Sequence, residues 1–203
     1  MKWLVVAPPP SIRQFQRLRH PLFAGVVLIA VLILNSPLSR RSFAAGGPPP
    51  QGFNLISSAF GAGGFIPSRY TCSGENVSPE LRWTAAPSGT RSFVLIMTDP
   101  DAPGGTFVHW VAFNLPPSER NLPVGIPKGD TIPTGGVQGS NSFDSTGYGG
   151  PCPPEGKPHH YFFRLYAIDT RLSLKAGANR REVEQAMTGH ILAKAELMGL
   201  YGK

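Results

Sequence analysis

The stretch from Thr98 to Val111 constrains this chain most, because it sets two aspartates and a histidine between two strongly apolar runs. Phe93 to Met97 is apolar without interruption, and Phe107 to Leu115 is apolar except for His109 and Asn114. Runs of that kind predict strands covered on both faces. Between them, Pro100 and Pro103 fix φ and disfavour helix in the residues before them, while Gly104-Gly105 permits the chain to reverse. Asp99 and Asp101 are therefore expected in nearly fixed directions at the rim of a core. Period-two alternation places His109 on one face with Phe107, Val111 and Phe113, near the point where the aspartates enter. That is the setting of a small polar pocket.

Charge separates the chain into two parts. Residues 1–44 hold six basic residues and no acid, which leaves thirteen Lys plus Arg against twelve Asp plus Glu in the remainder. The high pI belongs to the leader, and nucleic-acid binding, which needs a basic face on the folded domain, gains no support from the near-neutral remainder. Leu22 to Leu34 is a thirteen-residue apolar run with four basic residues before it and two after. This reads as a signal peptide or signal anchor over residues 1–45, with the following domain exported to the periplasm or secreted, either released or left tethered to the membrane. Ser42-Phe43-Ala44 offers small residues suited to cleavage, although Arg40-Arg41 just before them is atypical. Residues 46–52 read as a Gly/Pro linker, and residues 53–203 as one domain large enough to bury its own core.

Within that domain, frequent Gly and Pro with few charged residues point to an all-β protein with long loops. Gly147-Tyr148-Gly149-Gly150-Pro151-Cys152-Pro153-Pro154 is the densest loop, and its glycines permit close backbone approach to a ligand. His159 to Ile168 alternates as a strand in which His159 shares a face with Tyr161, Phe163 and Leu165, and His160 with Arg164. His159 is thus expected at the pocket and His160 toward solvent. Asn179 with Glu182 resembles a capping pair, and Val183, Met187, Ile191 and Ala195 recur every fourth residue, so an amphipathic helix is expected to close the chain. Gly189 weakens that helix by about 1 kcal/mol relative to Ala.

Four ordered motifs carry a family resemblance: Asp99-Pro100-Asp101-Ala102-Pro103, His109 to Leu115, Gly147 to Pro154, and His159 to Tyr166. Over about residues 53–201 the chain resembles the phosphatidylethanolamine-binding protein family, in its bacterial Raf-kinase-inhibitor-like branch. The resemblance implies a β-sandwich built on a large central antiparallel sheet, and a small cavity that accepts an anion such as a phospholipid head group. Carried over by position, Asp99, Asp101, His109, Gly150, Pro151 and His159 would line it, with Tyr148 as a wall; Tyr201 matches only by rough location and is not assigned. Imidazole and backbone N–H groups can hold a phosphate, while a carboxylate would repel it, so Asp99 is expected to orient His109 or His159 and keep an imidazole protonated. Asp101 is expected mainly to shape its loop. Singly, each residue has a plainer role: Asp99 as a turn cap, His109 as a satisfied core histidine, His159 as the start of a strand.

The leading functional expectation is a non-catalytic binding module of the cell envelope for a small anionic ligand, without cofactor or metal. An exported inhibitor of a protease or other envelope protein is the alternative, and it rests on resemblance alone. A metal-dependent hydrolase built on Asp99, Asp101, His109 and His159 is a third reading, with no His-Glu-x-x-His or Gly-x-Ser-x-Gly motif to support it. Cys72 and Cys152, the only cysteines, would form a disulfide if the domain is exported, the alternative being two reduced thiols.

Overall fold

The structure is a computed structural model that describes residues 52–84 and 86–203. The leader and nearly all of the linker lie outside the described residues. Among the described residues the strands, in chain order, are Leu55–Ile56 (β1), Leu81–Trp83 (β2), Ser92–Asp99 (β3), Phe107–Leu115 (β4), Asn121–Leu122 (β5), Val137–Gln138 (β6), His159–Ile168 (β7) and Ile191–Tyr201 (β8), with one α-helix, Arg180–Ala186 (α1), and a single 3-10 turn, Ser68–Tyr70. They form two antiparallel sheets, a five-stranded one in the order β6-β4-β3-β7-β8 and a three-stranded one in the order β1-β2-β5.

Every position of β3 is buried, as its unbroken apolar run requires of the central strand of the large sheet. Its residues divide by parity. Phe93, Leu95 and Met97 pack with Tyr161, Phe163 and Leu165 of β7 and with Leu55, Leu81, Trp83 and Leu122 of the small sheet. Val94 and Ile96 face the other way, into a cluster with Val111, Phe113, Leu172, Val183 and Met187. Burying side chains of this size contributes about 1.5–3 kcal/mol each, so both faces of the sheet are anchored.

Strict alternation fails in β4. Met97 pairs with Trp110 but Thr98 with Val108, so His109 is the extra residue of a bulge; a second shift lies between the Phe93–Leu115 and Leu95–Ala112 pairs. Phase alone put His109 with Val111 and Phe113, and the bulge corrects this. Those two residues enter the helix-side cluster, whereas the His109 ring packs 5.0 Å from Phe107 and 5.2 Å from Tyr161.

The closing helix is also corrected. Asn179 and Glu182 do form a reciprocal capping box, but α1 ends at Ala186 and the chain finishes as strand β8. Gly189, at φ +82, turns the chain between them. Ile191 and Ala195 belong to β8, and a register shift between the Ala167–Ala193 and Ile168–Ile191 pairs leaves Ile191 exposed and Ala195 buried.

Candidate functional site

Antiparallel pairing of β3 with β7 sets the end of one beside the start of the other, so Asp99 and His159 meet across sixty residues of sequence. His159 Nδ1 lies 2.7 Å from Asp99 Oδ2, and Asp99 Oδ1 accepts the Asp101 backbone N–H at 2.8 Å. The carboxylate is 3% exposed, and both its oxygens are engaged. It therefore caps the turn and orients the imidazole at once.

His109 arrives from the other neighbour of β3, turned inward by its bulge, and is 2% exposed. Its Nδ1 donates to the Gly149 carbonyl at 2.7 Å, while Gly149 N–H donates back to the His109 carbonyl at 2.8 Å. A carbonyl can only accept, so the hydrogen-bond network assigns the proton to Nδ1 and leaves Nε2 without one in the neutral ring. Burial lowers the His109 pKa from its ordinary value, and the Gly149 carbonyl and Asp99 only partly oppose that. Of the two imidazoles, it is His159 that Asp99 orients by hydrogen bond, while His109 is oriented by the Gly149 carbonyl.

These three polar groups form the base of a cavity of about 240 Å³, walled by Phe107, Phe143 and the turns at Ala102-Pro103 and Cys152 to Pro154. Drug-sized sites run from about 300 Å³ upward, so this one suits a small ligand or a single head group. Asp101 lies in a neighbouring open hollow with Glu155, Lys157 and His160. There it accepts both the His160 N–H (2.8 Å) and the ring Nδ1 (2.7 Å), and the ring contact is the main cause of its lowered pKa. His160 is 47% exposed at its side chain against 12% for His159, as strand phase predicted.

Gly150 and Pro151 support the wall from behind. A Cβ on Gly150 would collide with the Tyr70 carbonyl and lie 2.6 Å from Asn76 Oδ1, which accepts the Gly150 N–H. Pro151 O accepts the Cys72 N–H at 3.0 Å, and the Cα atoms of Cys72 and Cys152 are 5.3 Å apart, within disulfide reach. Tyr148 is buried against Trp110, its hydroxyl donating to Tyr70 O at 2.6 Å, and burial raises its pKa. Tyr201 pairs with His159 in the β7–β8 register, and hydrogen bonds with Ser73 and Thr71 lower its pKa.

Sequence reasoning passed over Tyr161 and Phe143. The Tyr161 hydroxyl is buried, has no partner in hydrogen-bond geometry, and has its pKa raised by burial and then by the Asp99 charge. Its strand phase with His159 was a usable signal. Phe143 sits in an irregular loop and gave none. Among the described residues, no three His, Cys, Asp or Glu groups converge as a metal set.

Two sheets, one short helix and a small two-histidine cavity at the β3–β7 end define a class already recognisable in the motifs. Residues 56–202 match the family model for phosphatidylethanolamine-binding protein, and the chain belongs to that family. Among its relatives, a UPF0098 protein of Methanothermobacter thermautotrophicus is 51% identical over 148 residues, covering 73% of this chain and 97% of its own. The UPF0098 protein of Aquifex aeolicus is 46% identical over 176 residues, covering 86% and 98%. Of solved structures, a phosphatidylethanolamine-binding protein homolog of Chlamydia trachomatis superposes with a TM-score of 0.69 at 41% identity, covering 75% of this chain and 98% of that one. YbcL of Escherichia coli gives 0.70 at 35% identity, covering 74% and 98%.

Proposed function

We propose that this protein is a non-catalytic binding module of the cell envelope, a sandwich-like domain whose cavity captures a small phosphate-bearing or other anionic ligand such as a phospholipid head group. The observation that carries this is the asymmetric pair of imidazoles at the cavity base. His159, oriented by Asp99, presents Nε2–H when protonated, a charge-assisted donor. His109 is held neutral by burial and presents Nε2 as an acceptor. A phosphate monoester monoanion offers an acceptor oxygen to the first and a P–OH to the second. Apolar walls at Phe107 and Phe143 suit an organic substituent on that phosphate. Export follows from the leader, and in an oxidising compartment Cys72 and Cys152 form a disulfide.

Calorimetric titration with phosphate and with phosphoethanolamine at pH 6 and pH 8 tests this reading. Binding is expected at pH 6 and should weaken at pH 8 as the monoanion is lost, since the second pKa of a phosphate ester is about 6. His159→Ala and His109→Ala should each reduce the affinity at least about tenfold. Undiminished binding in both variants, or none to the folded protein at either pH, overturns the proposal.

A further inference from the structure

The segment from Cys152 to Pro158 supplies part of the cavity wall, yet hydrogen bonds contribute almost nothing to holding it. Just before it, the glycine loop is pinned by Tyr148 Oη–H to Tyr70 O, Gly150 N–H to Asn76 Oδ1, and Cys72 N–H to Pro151 O. Just after it, β7 begins at His159. Residues 153–158 between these anchors make no hydrogen bond or ion pair among the described residues. Pro153, Pro154 and Pro158 have no N–H to offer. Pro153 is buried, Pro158 packs against Gly202, and the covalent anchor of the segment is the bond from Cys152 to Cys72. Cys152 is exposed and lines the cavity, and the Lys203 ammonium donates to its Sγ at 3.6 Å.

We propose that the Cys72–Cys152 bridge is a thiol-exchange site that latches this wall, and that small anionic thiols open it. A thiolate attacks the sulfur of Cys152, the more exposed residue of the pair, drawn there by Lys203. The new sulfur–sulfur bond forms as the bond to Cys72 breaks, and Cys72 leaves as a thiolate that takes a proton from water. A second thiolate attacks the external sulfur of the mixed disulfide and releases Cys152 as a thiolate beside the Lys203 ammonium, an environment that lowers a thiol pKa. Two thiols are thereby joined as their own disulfide, and the bridge is reduced by the two electrons they give up. With the bridge open, Cys152, Pro153 and Pro154 are free to leave the wall while the pinned residues before them stay in place. The functional consequence, loss of ligand, rests on the anion-binding reading above; the latch itself does not.

The test uses the full chain and reduced glutathione as the probe, with two readouts. Cleavage after Glu155 by a glutamate-specific protease follows the wall directly, and phosphate titration at pH 6 follows the cavity. Reduction should accelerate cleavage at Glu155 and weaken phosphate binding, each by about tenfold, with circular dichroism unchanged. In Cys72→Ser, oxidised glutathione should modify Cys152 quickly; in Cys152→Ser, the half-buried Cys72 should react far more slowly. Accelerated cleavage with no phosphate binding in either state upholds the latch and sinks the anion reading. Phosphate binding and Glu155 cleavage that both ignore full reduction sink the latch and leave the anion reading intact. Equal reactivity of the two cysteines overturns the assignment of Cys152 as the attacked sulfur.

Discussion

A histidine that is 2% exposed with Nδ1–H on a backbone carbonyl is at home in one protonation state. Burial sets the folded pKa of His109 below its ordinary 6.5, and unfolding restores it. Below about pH 6.5 the unfolded chain therefore takes up a proton that the folded chain refuses. The stability contributed by the neutral ring is complete above that pH and is lost as pH falls toward the folded value. Urea midpoints should drop between pH 7.5 and pH 5 by more in the wild type than in His109→Gln, whose amide can still donate to Gly149; equal slopes would contradict this. Gln138 makes a second prediction. It is fully buried, with Oε1 accepting Trp110 Nε1–H and Nε2 donating to Pro127 O and Gly129 O, each at 2.8 Å. Gln138→Leu strands one donor and two acceptors and should cost at least about 3 kcal/mol in denaturant titration, at roughly 1–3 kcal/mol per unsatisfied buried group. A loss under 1 kcal/mol would show that the loop re-pairs. Neither role was legible in the sequence: a lone Gln in a glycine-rich loop has no periodicity to betray it, and the orientation of His109 depends on a bulge that leaves no compositional mark. The phase of His159 was legible because β7 runs without a bulge through that end.

The two apolar runs identified their strands because burial on both faces demands an unbroken run, and β3 meets that demand at all eight positions. Elements that depend on special backbone were harder to read. Asn114 lies at φ +56 inside β4, where its side chain donates to Leu172 O at 2.9 Å and accepts the Leu172 N–H at 2.8 Å. A buried amide there mimics a strand neighbour and fixes the second irregularity of β4. Asn114→Ala loses both hydrogen bonds and also strains the backbone, since L-residues with a Cβ disfavour this region. Asn114→Gly loses the same hydrogen bonds without that strain. Both should destabilise, Ala by about 1 kcal/mol more than Gly, as read from urea midpoints. If Ala were the milder of the two, the left-handed backbone at Asn114 would not be what a Cβ strains there. The capping box of α1 was legible from Asn179 and Glu182, whereas the end of that helix was not. Only the left-handed Gly189 marks it, and a glycine can also be tolerated inside a helix.

At the scale of the molecule, the order β6-β4-β3-β7-β8 puts β4 and β7 on either side of β3 and thereby delivers His109, Asp99 and His159 to one end of one sheet. Motif order implied that convergence, and the Gly147–Pro154 loop was already expected beside the ligand; the wall from Phe143 could come only from the three-dimensional chain. The same view separates two sources of anion affinity. Residues 45–203 carry thirteen Lys plus Arg against twelve Asp plus Glu, so the domain exerts little net attraction on an anion, while residues 1–44 carry six basic side chains and no acid. Attraction to exposed charge is screened within about 8 Å at physiological ionic strength, whereas a partly buried pair is screened far less. Phosphate held at the cavity base should therefore lose less than about threefold in affinity when sodium chloride rises from about 0.05 to 0.5 M. Any binding that survives in His159→Ala should fall steeply over the same range, because it would be binding to surface charge. A steep decline in the wild type, matching that of the variant, would place the ligand on exposed basic residues such as those of 1–44 and leave the cavity without a part in anion capture.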